Sequence, residues 1–314
     1  MMKAVRIHQY GDLDVLKVEE LDIPRIESHE VLIKVDAVGV NPIDFKVRKG
    51  LFAEVFKYTF PLCLGWDVAG RVAAVGSSVR QFKEGDEVFG LVNFPEVANG
   101  YAEYMPARAV QLAYTPAKFS MVEAAAFPLV ALTAWQTLFD VAKLKSNQTV
   151  LIHAAAGGVG HIAVQLAKWK GAKVIATASK ENHAFLTKLG ADTVIDYRTT
   201  AIKDCVKEVD VVLDAVGGQV AVDSLDVIRE GGVLISLPQP ITGDTEAIAK
   251  AKNIATPWHI VHPSGAQLRD MANLTDDGLL QVEVAQTFPL ERAKDAHALL
   301  ETGRVKGKVV LKIS

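Results

Sequence analysis

Apolar and polar positions change rhythm along the chain. Up to about residue 120, short β-rich runs follow one another: KAVRIH (3–8), VLKVEEL (15–21), EVLIKVDAVGV (30–40), DVAGRVAAVG (67–76), DEVFGLV (86–92) and GYAEYM (100–105). Gly, Asp and Pro separate them, as expected of turns. Closely spaced strands with few helices predict a small barrel-like or sandwich domain, with a short helix over 42–49. From about 120, helix and strand alternate. Ser120 begins a helix with Glu123 at the capping-box spacing, and an apolar helix with Pro128 at its start runs over 128–142. QTVLIHAA, KVIATAS, DTVID, VKEVDVVLDAV and GGVLISL then read as strands with helical stretches between them. That order gives βαβ units and a parallel sheet covered on both faces. The last stretch, VEVAQTFPLERAKDAHALLETGRVKGKVVLKIS, reads strand, helix, strand. It can return to the first domain, which would make that domain discontinuous.

Composition narrows the class. Half of the 314 residues are hydrophobic and 23% are charged, enough apolar material to form cores. A formal charge of -3 supplies no basic excess for a phosphate backbone, so nucleic acid is not an expected partner. The two cysteines, Cys63 and Cys205, exclude a disulfide framework and a four-cysteine zinc site, and they read as buried small residues. The N-terminus has early charges and no apolar core of a secretory signal. The uncharged stretches 124–139 and 146–167 are interrupted by Pro128 and by Gly157, Gly158 and Gly160, so no transmembrane helix is expected. These features predict a cytoplasmic protein with no membrane partner.

The segment VLIHAAAGGVGHIAVQLAKWKGAKVIATAS carries the chemistry. A strand runs into a glycine-rich turn and a helix opens directly after it. A helix N-terminus offers unpaired N–H groups and a positive dipole end, and glycine lets a pyrophosphate approach the backbone. The same turn would also serve as a packing device or as an S-adenosylmethionine site. The next strand ends in Ser179-Lys180, with no carboxylate until Glu181, which is expected to lie in the following helix. A hydroxyl and an ammonium there suit a 2′-phosphate, so NADPH is favoured over NADH. The other reading of Lys180 is a solvated lysine at a helix start.

GVNPIDFKVRKG (39–50), GWDVAGRVAAVG (65–76), GYAEYM (100–105), EAAAFPLVALTAWQTL (123–138), HAAAGGVG (153–160), LGADTVIDYR (189–198), VDVVLDAVGG (209–218) and FPLERAKDAHALLETGRVKGKVVL (288–311) occur in this order. Together they resemble the zinc-lacking quinone oxidoreductase and enone reductase branch of the medium-chain dehydrogenase/reductase superfamily, over almost the whole chain. The resemblance implies an α/β fold of two domains. A GroES-like, β-rich catalytic domain would take residues 1–122 and 265–314. A Rossmann doubly wound parallel-sheet domain binding NADPH would take residues 123–264, with the active-site cleft at the junction. Zinc members of the superfamily carry Cys or His near the positions of Asn41 and Pro42, and a His-Glu pair where this chain has Trp66-Asp67. No metal is therefore expected. His259 and His262 remain a conceivable pair, yet on a strand they would face opposite ways.

The resemblance also places residues. Asn41 and Thr133 would lie at the nicotinamide. Gly157, Gly158, Val159 and Gly160 would hold the pyrophosphate. Ser179, Lys180 and Tyr197 would surround the 2′-phosphate, and Val216, Ser236 and Leu237 would line the nicotinamide side. Three of them have a plainer reading: Asn41 shapes the turn before Pro42, Tyr197 is a surface aromatic, Thr133 packs in its helix. Lys46 and Phe52 stand where several quinone reductases carry tyrosine. Lys46 would stabilise a developing enolate or simply be solvated, and Phe52, Tyr58 and Phe94 are candidates for an apolar acceptor pocket. The implied activity is zinc-independent hydride transfer from NADPH to a quinone or an α,β-unsaturated ketone or aldehyde. A narrower carbonyl or enoyl-thioester reductase and a non-catalytic NADPH-binding protein are the alternatives. No side chain stands out as a general acid, which leaves the proton to water. Relatives pair through the Rossmann sheet edge, so a homodimer is expected, with IATPWHIVH (254–262) as an edge strand that tolerates Pro257.

Overall fold

The structure, a computed structural model, describes residues 1–313. In chain order the strands and helices are β1 (Met2–Ile7), β2 (Lys17–Leu21), β3 (Glu30–Val40), α1 (Pro42–Arg48), α2 (Ala53–Phe56), β4 (Leu62–Cys63), β5 (Asp67–Val75), β6 (Glu87–Leu91), β7 (Tyr104–Arg108), β8 (Leu112–Tyr114), α3 (Met121–Ala126) and α4 (Pro128–Trp135). Then come β9 (Thr149–Ile152), α5 (Gly158–Trp169), β10 (Lys173–Ala178), α6 (His183–Lys188), β11 (Thr193–Asp196), β12 (Val209–Asp214), α7 (Gln219–Ser224), β13 (Ile228–Ser236) and α8 (Gly243–Ala251). The chain ends with α9 (Gly265–Asp276), β14 (Val284–Pro289), α10 (Ala293–Glu301) and β15 (Lys308–Lys312). Two compact units emerge: Met1–Leu132 together with the chain from His262 onward, and Thr133–Val261.

The first unit is built on a mostly antiparallel seven-stranded sheet. Its order is β14-β15-β3-β5-β6-β8, with β7 also paired to β3. β3 is the longest strand, and its inward positions Val31, Ile33, Val35 and Ala37 are all but fully buried. β15 pairs antiparallel with the end of β3, Val309 opposite Val40, so the last strand of the chain completes the sheet of the first unit. A smaller sheet, β2-β1-β4, packs beside it. Ser120 caps α3 as the sequence predicts: Glu123 N–H donates to its Oγ at 3.3 Å, and Ser120 N–H donates to Glu123 Oε2 at 2.8 Å. GYAEYM does not form a strand of its own. β7 starts at Tyr104, because Gly100 and Tyr101 are tied across to Gly65 and Leu64.

The second unit is a five-stranded parallel sheet of order β11-β10-β9-β12-β13, the arrangement of a Rossmann half with its continuation. β9 sits centrally, and its Val150, Leu151 and Ile152 are fully buried, which matches the unbroken apolar run VLI. His153, at the end of β9, is a buried tie: one ring nitrogen lies 2.9 Å from Thr177 Oγ1 and the other 3.0 Å from Ser224 Oγ. The helix predicted over 128–142 divides. α4 ends at Trp135, and Gln136–Val141 continues as a wider π-helical turn.

The predicted edge strand over 254–262 is absent. That segment is irregular apart from one bridge between Ala255 and Val233, and Pro257 removes an N–H in its middle. His259 therefore does not alternate with His262 along a strand; its Nε2 lies 2.9 Å from Gln136 Oε1. Of the two cysteines expected to be buried, one is and one is not. Cys63 is buried, and burial pushes its thiol up to about 12, whereas Cys205 is exposed.

Candidate active site

In the second unit the sheet brings most of the predicted nucleotide-binding residues to one edge, the carboxyl ends of its strands. Gly157, Gly158, Val159 and Gly160 open α5 directly after β9. Gly160 has a specific reason to be glycine. A Cβ there would stand 2.5 Å from Ala154 O, 2.6 Å from Ala155 Cα and 2.7 Å from Ala155 O, all immovable backbone. Ser179 and Lys180 follow β10, Tyr197 follows β11, Val216 follows β12, Ser236 ends β13 and Leu237 follows it. Asp214 holds the β12 end in shape by accepting the N–H groups of Val216 at 2.8 Å and Gly217 at 3.0 Å. Ser236 is buried, and its Oγ has no hydrogen-bond partner among the described residues. An orphaned hydroxyl at a strand end is suited to a ligand's amide or hydroxyl. Thr133 is nearly buried within α4, where its carbonyl accepts from Thr137 Oγ1 at 2.6 Å.

Charge around Ser179 is more mixed than the sequence indicates. Lys180–Asn182 forms a single 3₁₀ turn, so Glu181 does not move away along a helix. A hydrogen bond from Ser179 holds the Glu181 carboxyl below its usual range, with Arg198 beside it at 3.4 Å. Arg198 also lies over the exposed Tyr197 ring, 5.7 Å from its centroid. Arg198 thus pairs with the carboxylate that lies beside Ser179. Arg198 was not singled out from sequence, although it directly follows the candidate Tyr197.

In the first unit, Asn41 is fully buried between β3 and α1, and its groups are all engaged within the protein. Its N–H donates to Asp44 Oδ2 at 2.6 Å, its Nδ2 donates to Asp67 Oδ2 at 2.9 Å, and its Oδ1 accepts from the Lys308 ammonium. These bonds fit the plainer reading of Asn41, a residue that shapes the turn before Pro42. Lys308 is buried as well and donates to Val40 O at 3.2 Å, with Asp67 Oδ2 3.6 Å away. Asp67 completes its shell with the Leu129 N–H at 2.7 Å. Burial pushes Asp67 up and Lys308 down, and each opposes that shift in the other.

Lys46 is half-buried, and burial lowers its ammonium from the usual lysine range. The aromatic candidates do form a group. Phe52 and Phe56 ring centroids lie 5.5 Å apart, and Phe56 and Tyr58 5.7 Å apart. Tyr58 Oη donates to Pro95 O, next to Phe94, whose ring meets Trp66 edge-on at 5.7 Å.

Comparison with known proteins matches this arrangement. Residues 27–117 fit the family profile described as alcohol dehydrogenase GroES-like domain, and residues 189–311 the one described as zinc-binding dehydrogenase. The solved structure of the quinone oxidoreductase from Coxiella burnetii superposes with a TM-score of 0.93 and 40% identity, covering 100% of this chain and 99% of that one. The chain belongs to the medium-chain dehydrogenase/reductase superfamily, in its zinc-lacking quinone oxidoreductase and enone reductase branch. Two curated relatives are the 2-methylene-furan-3-one reductase of Solanum lycopersicum, 36% identical, and the chloroplastic NADPH-dependent alkenal/one oxidoreductase of Arabidopsis thaliana, 35% identical. Each alignment spans 99% of this chain and 79% of the relative.

Membership of this superfamily sharpens the meaning of the Asn41–Asp67–Lys308 cluster. Where its zinc members carry metal ligands, this chain sets an amide and a carboxylate around a buried ammonium. Among the described residues, no three of His, Cys, Asp and Glu converge as a metal would need. Lys308 and Asp67 were missed as partners in sequence. The available signal was a charge interrupting each of two apolar runs, GKVVL and WDVAG.

Asp44 adds a pH dependence. Burial raises its carboxyl to about 7 from 3.8, against the pull of the Asn41 N–H and of Lys308. In the folded protein it therefore stays protonated at pH values where the unfolded chain has ionised. Its contribution to stability is complete below about pH 4 and is lost as pH rises through 7, by about 4 kcal/mol. Asp44→Asn is expected to flatten this part of the stability–pH curve. Urea unfolding of both proteins at pH 5 and pH 8 checks it, and equal pH slopes would remove the assignment.

Proposed function

We propose that this chain is an NADPH-dependent oxidoreductase that reduces a quinone or the carbon–carbon double bond of an α,β-unsaturated ketone or aldehyde. The observation that carries the reading is the β9–α5 turn, with Gly160 packed on backbone and the ends of β10, β11, β12 and β13 assembled around it. NADPH, when bound, would supply the hydride. The Gly157–Gly160 turn would accept the pyrophosphate on N–H groups at the α5 N-terminus. Lys180, Ser179 and Arg198 would hold the 2′-phosphate, with Arg198 offsetting Glu181. Ser236 Oγ, buried and unpartnered, fits the carboxamide of the nicotinamide. The Phe52, Tyr58 and Phe94 group would exclude water around an apolar acceptor. The furanone reductase, alkenal/one oxidoreductase and quinone oxidoreductase relatives support both acceptor classes. No helix of the described residues is long and apolar enough to cross a membrane, and we place the activity in a reducing, cytoplasmic setting.

The test is NADPH oxidation by EDTA-treated protein with a quinone and an enone side by side. Turnover that survives EDTA supports the reading, and the faster acceptor chooses between the classes. NADPH binding without turnover on either would overturn the enzymatic role. Lys180→Ala is expected to weaken NADPH about tenfold, as loss of a charge-assisted hydrogen bond does, with little change for NADH. Equal weakening of both cofactors in a fluorescence titration would contradict the 2′-phosphate role.

We also propose a homodimer formed along the outer edge of β13. Irregular 254–262 leaves Trp258 and Ile260 more than two-fifths exposed there, an apolar edge for a twofold partner. Size exclusion should give the mass of two chains; the mass of one would contradict the pairing.

A further inference from the structure

The turn after β10 holds a carboxylate that a 2′-phosphate site does not call for. β10 and β11 run parallel, with Ala178 opposite Asp196, so Ser179–Glu181 and Tyr197–Arg198 leave the sheet side by side. Ser179 is buried and starts the Lys180–Asn182 turn. Its carbonyl accepts the Asn182 N–H at 2.9 Å, and its Oγ accepts from Asn182 Nδ2 at 3.2 Å. The hydrogen of the Ser179 hydroxyl goes to the Glu181 carboxylate. On the neighbouring loop, Asp196 Oδ1 accepts the Arg198 N–H at 3.0 Å, which fixes where the arginine side chain starts.

The residues just past the second strand of such a sheet meet the adenosine ribose. A carboxylate there accepts the ribose 2′-OH of NADH, and a cation there accommodates the 2′-phosphate of NADPH. This chain carries both. Glu181 is the carboxylate, and Lys180 and Arg198 are the cations. Lys180 makes no ion pair among the described residues and lines, with Thr199 and Thr200, a hollow of about 450 Å³. Asp196 and His183 are the other ionisable groups around that hollow.

Arg198 is held loosely. Its Nη1 stands 3.4 Å from Glu181 Oε1 and 3.5 Å from Oε2. A strong charge-assisted bond is shorter, at roughly 2.7–2.9 Å. Both side chains are more than half exposed, so the pair itself stabilises little. An arginine in this state exchanges one anion for another at low cost. A phosphate that draws it away, however, comes to lie beside a carboxylate left bare.

We propose that Glu181 is a specificity-determining residue that narrows the preference for NADPH over NADH. Its carboxylate accepts the 2′-OH of NADH and repels the 2′-phosphate of NADPH, and Arg198 passes from Glu181 to the phosphate when NADPH binds. Glu181 has this role only if the carboxyl edge of the sheet is a dinucleotide site, the reading on which it rests. The chain then takes both dinucleotides, with Lys180 and Arg198 tipping the balance toward NADPH.

Adenosine 2′,5′-bisphosphate and adenosine 5′-monophosphate differ only in the 2′-phosphate, so calorimetric titration with each reads this position without turnover. Glu181→Gln keeps the shape of the side chain and removes its charge. It is expected to tighten the bisphosphate and NADPH about tenfold and to weaken the monophosphate and NADH about threefold. Arg198→Met leaves Glu181 bare and is expected to weaken the bisphosphate about tenfold, with much of the loss recovered when Glu181→Gln is added. Asp226→Asn removes one negative charge where β13 begins, at the amino ends of the strands, and should leave the ratio of the two affinities unchanged. Thermal melts confirm that each variant is folded. A ratio that Glu181→Gln does not raise, or raises no more than Asp226→Asn does, would overturn the selection. So would a double variant as weak as Arg198→Met alone. If the unmodified protein binds neither dinucleotide and neither adenosine phosphate, the dinucleotide reading falls and the selector with it. Binding with an unchanged ratio leaves that reading in place and removes the selector alone.

Discussion

Lys308→Met is expected to destabilise the protein by about 3–5 kcal/mol, the usual cost of breaking a buried ion pair from one side. The substitution leaves the Asp67 carboxylate buried with two hydrogen bonds, from Asn41 Nδ2 and the Leu129 N–H, and without the ammonium beside it. It also strips a donor from Asn41 Oδ1 and from Val40 O. Lys308→Met combined with Asp67→Asn should recover much of the loss, because the uncompensated charge is then gone. Urea unfolding of the two variants checks this. A single variant as stable as the original, or a double variant no better than the single, would show that Asp67 is neutral in the fold.

Gly160→Val is expected to weaken NADPH binding by about 100-fold, equivalent to roughly 2.7 kcal/mol. The added Cβ would meet three backbone atoms of Ala154 and Ala155 at 2.5–2.7 Å, and backbone in a strand–helix turn has nowhere to go. The helix start must then tilt or unwind, and its N–H groups no longer converge on one anion. Gly157→Ala supplies the control. Its Cβ would meet only Ala154 O, at 3.2 Å, so a small effect is expected. Fluorescence titration of both variants is the measurement. Similar losses at the two positions would place the sensitivity in loop flexibility, not in close packing.

The strands of the second unit were legible because period and length agree. Four-to-six-residue apolar runs separated by helical stretches admit few alternatives to a parallel sheet. The glycine turn was legible for the same reason, since it lies between a strand and a helix. The segment 254–262 misled because IATPWHIVH has strand composition, yet a strand forms only where its N–H and C=O groups find a ladder. Pro257 removes one of those groups, and β13 offers a single bridge, at Ala255. Glu181 was misjudged because helix onset was placed one turn too early.

The polar interior of the first unit was largely illegible, because its members lie far apart in sequence. Asp44, Tyr101 and His297 are joined by hydrogen bonds across 57 and 196 positions. Only local oddities announce them. His297 shares the buried face of α10 with Ala293 and Ala296, and Lys308 opens an apolar strand. A buried polar group in such a place implies a partner, but sequence spacing does not name it.

The return of the last strand to the first sheet sets an order of events during synthesis. The second unit is one uninterrupted stretch, Thr133–Val261, and every strand of its sheet has been made before α9 is translated. The first unit begins earlier and finishes last. Until β15 leaves the ribosome, β3 has an open flank, and Asp67 lacks the cation that Lys308 will bring. At about 5–20 residues per second, the 47 positions from Val261 to Lys308 take several seconds. During that interval the younger half of the molecule can be complete while the older half waits for its final strand.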